Sequence, residues 1–434
     1  MIHSVYAERR RKLIEQLRPN SIVGLRAAPE YHKDRDVTFP YRQDPDFFYL
    51  TGYPETDAIA VIAPKRIDGE YILFIREKSE KEKQWIGGGV TKQEAMEIYG
   101  ADQVFPYASF SDVVPNLLDG RSHVYYPVNG SAELSKHVMD SIQRLKRGVR
   151  AGMRAPSDLI DLSKILHEMR LIKDEEEIKI LKKTAQMTAA GHVRAMRKCK
   201  PGMYEYELKA EAVYEFYKHG ASGESFETIV AGGKNACILH YVENQDPLEA
   251  GKLVLIDAGA EYQHYTGDLT RTFPVNGRFS GPQRDLYQVV LAAQLAAIDT
   301  IKPGVAWDDL QEITIYRLAQ GLLDLGIIEG SLDEVIESKT YRHFYMHHLS
   351  HWIGMNVHDD GDYKVDDHWR KLQPGMLMSI EPGLYIPDWE TIDAKWRGIG
   401  IRIEDEALVT EKGCEILTQD APKTIEDIED IMND

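Results

Sequence analysis

The chain has 434 residues, 43% hydrophobic and 28% charged, the composition of a soluble globular protein of roughly two or three domains that can bury a core without staples. Its 52 Lys and Arg against 70 Asp and Glu leave a formal net charge of -18, which repels a phosphate backbone and excludes nucleic acid as a general partner. Three cysteines, Cys199, Cys237 and Cys414, stand far apart outside any CxxC pattern, which predicts neither a disulfide framework nor a thiolate zinc site and fits a reducing cytoplasm.

Along the chain, residues 7–18 predict an amphipathic opening helix with Leu13, Ile14 and Leu17 against a basic face. The basic cluster at 9–12 has no apolar run behind it, so no secretory signal is predicted, and no later stretch reaches the ~20 apolar residues of a membrane span. To about residue 150, β-rich runs such as 59–63 and 71–75 alternate with helical stretches, as in a small α/β domain. The Gly87 to Gly89 triplet lacks the strand, spacing and downstream acid of a dinucleotide loop. Residues 148–157, GVRAGMRAPS, have the Gly, Pro and Ser content of an inter-domain connection. Asp174 then predicts an N-cap with Glu177 three residues on, and Ile178, Leu181, Ala185, Ala189, Val193 and Met196 recur at helical spacing until Pro201 and Gly202. The boundary is placed near residue 173, giving domains of 1–173 and 174–434. In the second, 286–298 with Gln288 and Gln294 reads as a packed helix, and the acidic tail 426–434 as a solvated end.

Chemistry concentrates in that second domain. The apolar run LVLI at 253–256 ends in Asp257, the pattern of a buried strand delivering a carboxylate. Alternation over 265–273 puts Thr266, Asp268, Thr270 and Thr272 on one face, and a turn near 261–263 would fold the two segments into a hairpin with the aspartates side by side. Leu377, Ser379 and Glu381 share a face before Pro382. Over 399–404, Ile399, Ile401 and Ile403 point one way and Gly400, Arg402 and Glu404 the other. Between these segments lies MHHLSHWIG at 346–354, with His358 beyond it; His347 and His351 are four apart without the HExxH pattern. Singly, each carboxylate reads as a turn, cap or strand end, and the histidines as a surface patch. Gathered together, four carboxylates raise one another's pKa unless cations balance them. Two divalent ions supply that balance, carboxylate with imidazole suits manganese, cobalt, iron or zinc, and such pairs activate water for hydrolysis.

The runs IDAGAEYQHYTGDLTRTFPVNG, MHHLSHWIGMNVHD, SIEPGLYI and GIGIRIEDEALVT, in this order, resemble the ligand signature of the pita-bread metallopeptidases, most closely the bacterial Xaa-Pro aminopeptidases (aminopeptidase P). FPYRQDPDFFYLTGYPE is similar to that family's N-terminal domain and HEMRLIKDEEEI to its domain junction, so the resemblance spans nearly the whole chain. It implies an α/β N-terminal domain controlling substrate access and oligomerisation, and an α+β C-terminal catalytic domain of pita-bread fold, with a curved, mainly antiparallel sheet covered by helices. It implies that Asp257, Asp268, His351, Glu381 and Glu404 bind two metal ions, usually manganese, with Asp268 and Glu404 bridging, and that a hydroxide between them attacks the bond before proline. His240, His347 and His358 match the family's active-site histidines: His358 for the oxyanion and proton transfer, His240 and His347 for substrate positioning. Glu381 would double as proton shuttle, Arg402 would hold the carboxylates or the substrate, and Tyr385, Asp36 and Trp85 would lie near the substrate, Trp85 from a neighbouring subunit of a tetramer or dimer. Peptides with proline second are the implied substrates, with neither nucleic acid nor membrane as partner. The chain departs from the family at Gly88 and Gly89, where bacterial members carry two arginines, and over 364–369. The competing functions are a prolidase restricted to Xaa-Pro dipeptides and a catalytically inactive peptide-binding module.

Overall fold

A computed structural model of the chain describes residues 2–128 and 130–434. They divide into two compact units, 1–169 and 170–434.

The first unit is built on a six-stranded mixed sheet whose spatial order is Gln103–Pro106, Tyr71–Ile75, Ile59–Ile62, Ser21–Arg26, His123–Tyr126 and Asp158–Asp161. Ile59–Ile62 runs antiparallel to both its neighbours, and the outer pairings are parallel. Its central strands are buried throughout, which is why they read as unbroken apolar runs. Helices Phe110–Leu118 and Ala132–Arg147 cover one face through Val114, Leu117, Leu134, Val138 and Ile142. Two sequence expectations change here. The opening helix runs Ile2–Gln16, and two of its arginines are buried rather than solvated. Arg10 lies 3.9 Å from the Tyr71 ring centroid and donates to Leu50 O, so the planar guanidinium is satisfied by a ring face and a carbonyl. The 148–157 segment is no inter-domain connection. It forms a 3₁₀ turn, Val149–Ala151, and leads into the sixth strand, Asp158–Asp161, of this same sheet.

In the second unit every strand pairing is antiparallel among the described residues. Leu253–Asp257 lies between Ile229–Gly232 and Thr270–Pro274; Leu377–Ile380 and Cys414–Ile416 flank Asp405–Val409; and Gly383–Ile386 pairs with Ile399–Arg402. Helix Glu175–Lys198 starts where predicted, with Asp174 and Glu177 forming a reciprocal capping box, and it stops at Lys198, ahead of Pro201. Helix Gly281–Thr300 packs on the strands Leu377–Ile380, Gly383–Ile386 and Ile399–Arg402, and Trp307–Asp324 packs against that helix. Met187, Phe216, Val254, Ile256, Phe273, Leu286, Tyr287, Leu318, Leu384 and Ile401 form the shared core. Each such side chain contributes about 1.5–3 kcal/mol on burial. The fold is the α/β plus α+β pair that the resemblance implied.

Candidate metal centre and active site

Asp257 closes its strand opposite Thr270 in the antiparallel register. The hairpin turns at Gln263 and His264, both with positive φ (50° and 68°), one residue past the predicted span. The expected continuous strand over 265–273 is broken into Tyr265–Thr266 and Thr270–Pro274, and Asp268 falls in the gap. The cause is a close backbone approach: a Cβ added at Gly259 would meet Gly267 O at 1.7 Å, so only glycine lets the two arms come together. Gly267 N and Ala258 N donate across this constriction to Ala260 O and Leu269 O. Asp268 N leaves the ladder and donates to Glu406 Oε1 at 2.9 Å, which turns the buried Asp268 carboxylate inward.

Glu381 immediately follows strand Leu377–Ile380, and its amide donates to Leu349 O. His351 is pinned to the same strand: His351 N donates to Ser379 Oγ and Ser379 N to His351 O. Glu404 sits between two strands, with Glu404 N donating to Thr270 O and Thr270 Oγ1 donating to Glu404 Oε2 at 2.7 Å. Ligand atoms of Asp268, His351 and Glu404 all fall within 4.8 Å of one another. His351 Nδ1 faces Trp352 O at 3.1 Å, an acceptor, so Nδ1 carries the proton. Its Nε2 lone pair then points at Asp268 Oδ2 (3.3 Å) and Glu381 Oε1 (3.4 Å). Three electron-rich atoms facing one point need a proton or a cation between them.

Electrostatics agree. Burial, with Asp257 and Glu381 as neighbours, pushes the Asp268 carboxyl well above its ordinary range. Burial and the charge of Asp268 do the same to Glu404. Glu381 is raised by burial, although His351 and Arg402 pull it back. Asp257 Oδ1 is buried with no hydrogen-bond partner. An orphaned carboxylate oxygen, a correctly oriented imidazole and mutually repelling carboxylates fit a divalent cation site.

Arg402 braces this centre. Its Nη2 donates to Asp257 Oδ2 at 2.5 Å, its Nε to Thr270 Oγ1 at 3.1 Å and its Nη1 to Tyr385 Oη at 2.9 Å. Tyr385 Oη in turn meets His347 Nε2 at 2.9 Å, and His347 Nδ1 faces His348 O at 2.7 Å. The carbonyl fixes the proton on Nδ1, so Nε2 accepts from the tyrosine. Desolvation and then Arg402 depress the His347 pKa to about 3, which keeps that relay neutral. His358, its ring edge-on to His351 at 4.4 Å, is also depressed, by desolvation and by His351 and His240. All eight residues, Asp257, Asp268, His351, Glu381, Glu404, His240, His347 and His358, line one cavity of about 740 Å³ with Arg402.

The family model for metallopeptidase family M24 matches residues 179–411, and the model for the aminopeptidase P N-terminal domain matches 6–125. The chain belongs to metallopeptidase family M24, among its Xaa-Pro aminopeptidases. It is 41% identical to the Xaa-Pro aminopeptidase of Escherichia coli strain K12, over 98% of this chain and 97% of that protein. It is 40% identical to the Haemophilus influenzae Xaa-Pro aminopeptidase, over 99% and 97%. The structure of Pseudomonas aeruginosa aminopeptidase PepP superposes with a TM-score of 0.98 at 46% identity, covering 100% of this chain and 99% of that one. Zinc-substituted E. coli aminopeptidase P in complex with product superposes at 0.97 with 40% identity, covering 100% and 98%.

Other members of this M24 site escaped the sequence reading. Trp307, Tyr363 and Trp369 form an aromatic wall of the cavity, but their spacing carries no period that distinguishes them from core aromatics. Glu406, pushed up to about 8 by burial, supports Asp268 from behind. Thr270 was legible, since the alternation placed it beside Asp268. Asp36 and Trp85 belong to the first unit: Asp36 is exposed in the bend closed by the His32 and Thr38 bridge, and Trp85 is 80% exposed near the end of helix Glu80–Ile86.

Proposed function

We propose that the protein is a dinuclear Xaa-Pro aminopeptidase releasing the first residue of peptides with proline in the second position. The observation that carries this reading is the convergence of Asp257, Asp268, His351, Glu381 and Glu404 on one cavity wall beside His240, His347 and His358. Those five side chains would hold two divalent cations, with manganese favoured over cobalt, zinc or iron. Bound cations acidify a water molecule and polarise the scissile carbonyl.

The chain's own groups do the rest. Glu381 accepts the proton lost by the attacking water. His358 donates its N–H to the developing oxyanion and hands on to the proline nitrogen the proton that Glu381 has taken from the water. His240, at the exposed end of the cavity lining, positions the peptide. His347 acts through Tyr385 to hold Arg402, and Arg402 steadies Asp257. The N-terminal domain, 1–173, restricts the site to a free amino terminus, with Asp36 and Trp85 close to the peptide in a homo-oligomer, a tetramer or dimer. No helix among the described residues is long and apolar enough to cross a membrane, and the three free cysteines support a cytoplasmic site of action.

The test is turnover of Xaa-Pro-Yaa peptides against Xaa-Pro dipeptides by protein stripped of metal and then reloaded with manganese. Manganese-dependent release of the first residue from the longer peptides is expected, and dipeptide-only activity would reassign the protein to the prolidases. Asp268→Asn removes one ligand charge and should lower kcat by at least about 100-fold. Activity retained in that variant would remove Asp268 from the centre.

A further inference from the structure

Behind the carboxylates lies a second charged layer that no step above uses. Arg271 is fully buried, and all five of its guanidinium N–H groups are spent. Nη1 donates to Thr270 O at 3.0 Å and to Glu404 O; Nη2 donates to Asp405 Oδ1 and Ala421 O, both at 2.8 Å; Nε donates to Pro422 O at 3.0 Å. Asp405, also buried, accepts further from Thr418 Oγ1, Lys423 Nζ and Gln294 Nε2. The Gln294 amide, wholly buried on helix Gly281–Thr300, reaches Ile380 O and Ile403 O at 3.2 Å each. Those carbonyls belong to the residues just before Glu381 and Glu404.

The unit therefore clamps the main chain at three ligand-bearing segments: Thr270 beyond Asp268, Ile380 before Glu381, and Ile403 with Glu404. Buried ion pairs are commonly replaceable by apolar side chains with little loss of stability, so stability alone does not account for a fork using every donor. Fixing ligand direction does, because metal affinity depends steeply on the groups that orient the ligands. We infer that Arg271, Asp405 and Gln294 form a positioning unit that sets the directions of Glu381 and Glu404 toward the metal centre. This rests on the metal-centre reading of the preceding section.

The test titrates metal-free full-length protein with manganese chloride and compares wild type, Arg271→Lys and Gln294→Met. Lysine keeps the charge but not the five-donor fork. Methionine keeps the volume of Gln294 but neither of its two N–H donors. Each variant should bind manganese about 10- to 100-fold more weakly, lose kcat at low manganese and regain it at high manganese, and leave KM within about 2-fold. Cobalt-loaded variants should show shifted visible ligand-field bands. Val290→Ala, a core truncation on the same helix as Gln294, is the control, and it should lower Tm without weakening manganese binding. Should Arg271→Lys fail to fold, Gln294→Met alone decides. Folded variants that bind manganese like wild type would overturn the inference, as would an equal loss in Val290→Ala. A wild-type protein that binds no manganese would instead sink the metal-centre reading itself.

Discussion

Asp359 stands one residue past His358, buried with Arg170 and Lys173, whose Nζ lies 3.2 Å from Asp359 Oδ2. Burial by itself would raise this carboxyl, but Lys173 and Arg170 more than offset it and hold it below its ordinary value. A folded pKa below the unfolded one gives stability that is complete above about pH 4 and is lost as pH falls through the folded value. Asp359→Asn deprives buried Lys173 of its carboxylate, while Arg170 keeps Asp360, and should cost about 3 kcal/mol at pH 7. Urea unfolding between pH 7 and pH 3 should show the gap from wild type closing only below about pH 4; a gap constant down to pH 3 would deny the charged pairing. None of this could be read from the sequence, since Arg170 and Asp359 are 189 positions apart. Residues that share a strand face were legible: alternation grouped Asp268 with Thr270 and Arg402 with Glu404, and Thr270 Oγ1 does join Arg402 to Glu404. Arg271 lies on the opposite face of that strand, and its carboxylate partner is 134 positions away.

At the level of elements, helix Glu175–Lys198 was legible because its start is written locally, in a cap and a box three residues apart. The hairpin from Leu253 to Pro274 was legible in its pairing but not in its break. Alternation describes an ideal ladder, whereas the break follows from Gly259 and Gly267 touching across it. The 148–157 segment misled because Gly and Pro mark turns inside a domain as readily as boundaries between domains. Gly259→Ala would force the arms apart and return Asp268 toward the ladder. The expected cost is about 3 kcal/mol or more in denaturant unfolding, together with a fall in manganese affinity. An alanine variant with wild-type stability and affinity would show that the constriction does not place the carboxylate.

Across the whole molecule, the raised carboxyls of Asp268, Glu381 and Glu404 couple folding, pH and cation binding. When the folded pKa exceeds the unfolded one, the folded state holds protons that the unfolded chain has released, so stability falls as pH rises from about 4 through the raised values. Cations replace those protons. Manganese at a thousandfold excess over its dissociation constant adds about 4 kcal/mol, or roughly 8 °C in Tm for a unit of this size. The shift should be larger at pH 8 than at pH 5.5; scanning calorimetry showing the reverse would contradict the linkage. The net charge of -18 said nothing of this, because composition does not locate charge. The first unit's sheet has a colloidal consequence. One outer strand, Gln103–Pro106, ends in a residue without an N–H, and the other, Asp158–Asp161, carries a carboxylate at each end. Neither rim offers a strand from another molecule a complete, neutral template, so the sheet is protected against edge-to-edge aggregation. Replacing both Asp158 and Asp161 by valine should make the protein scatter light on mild heating well before wild type does.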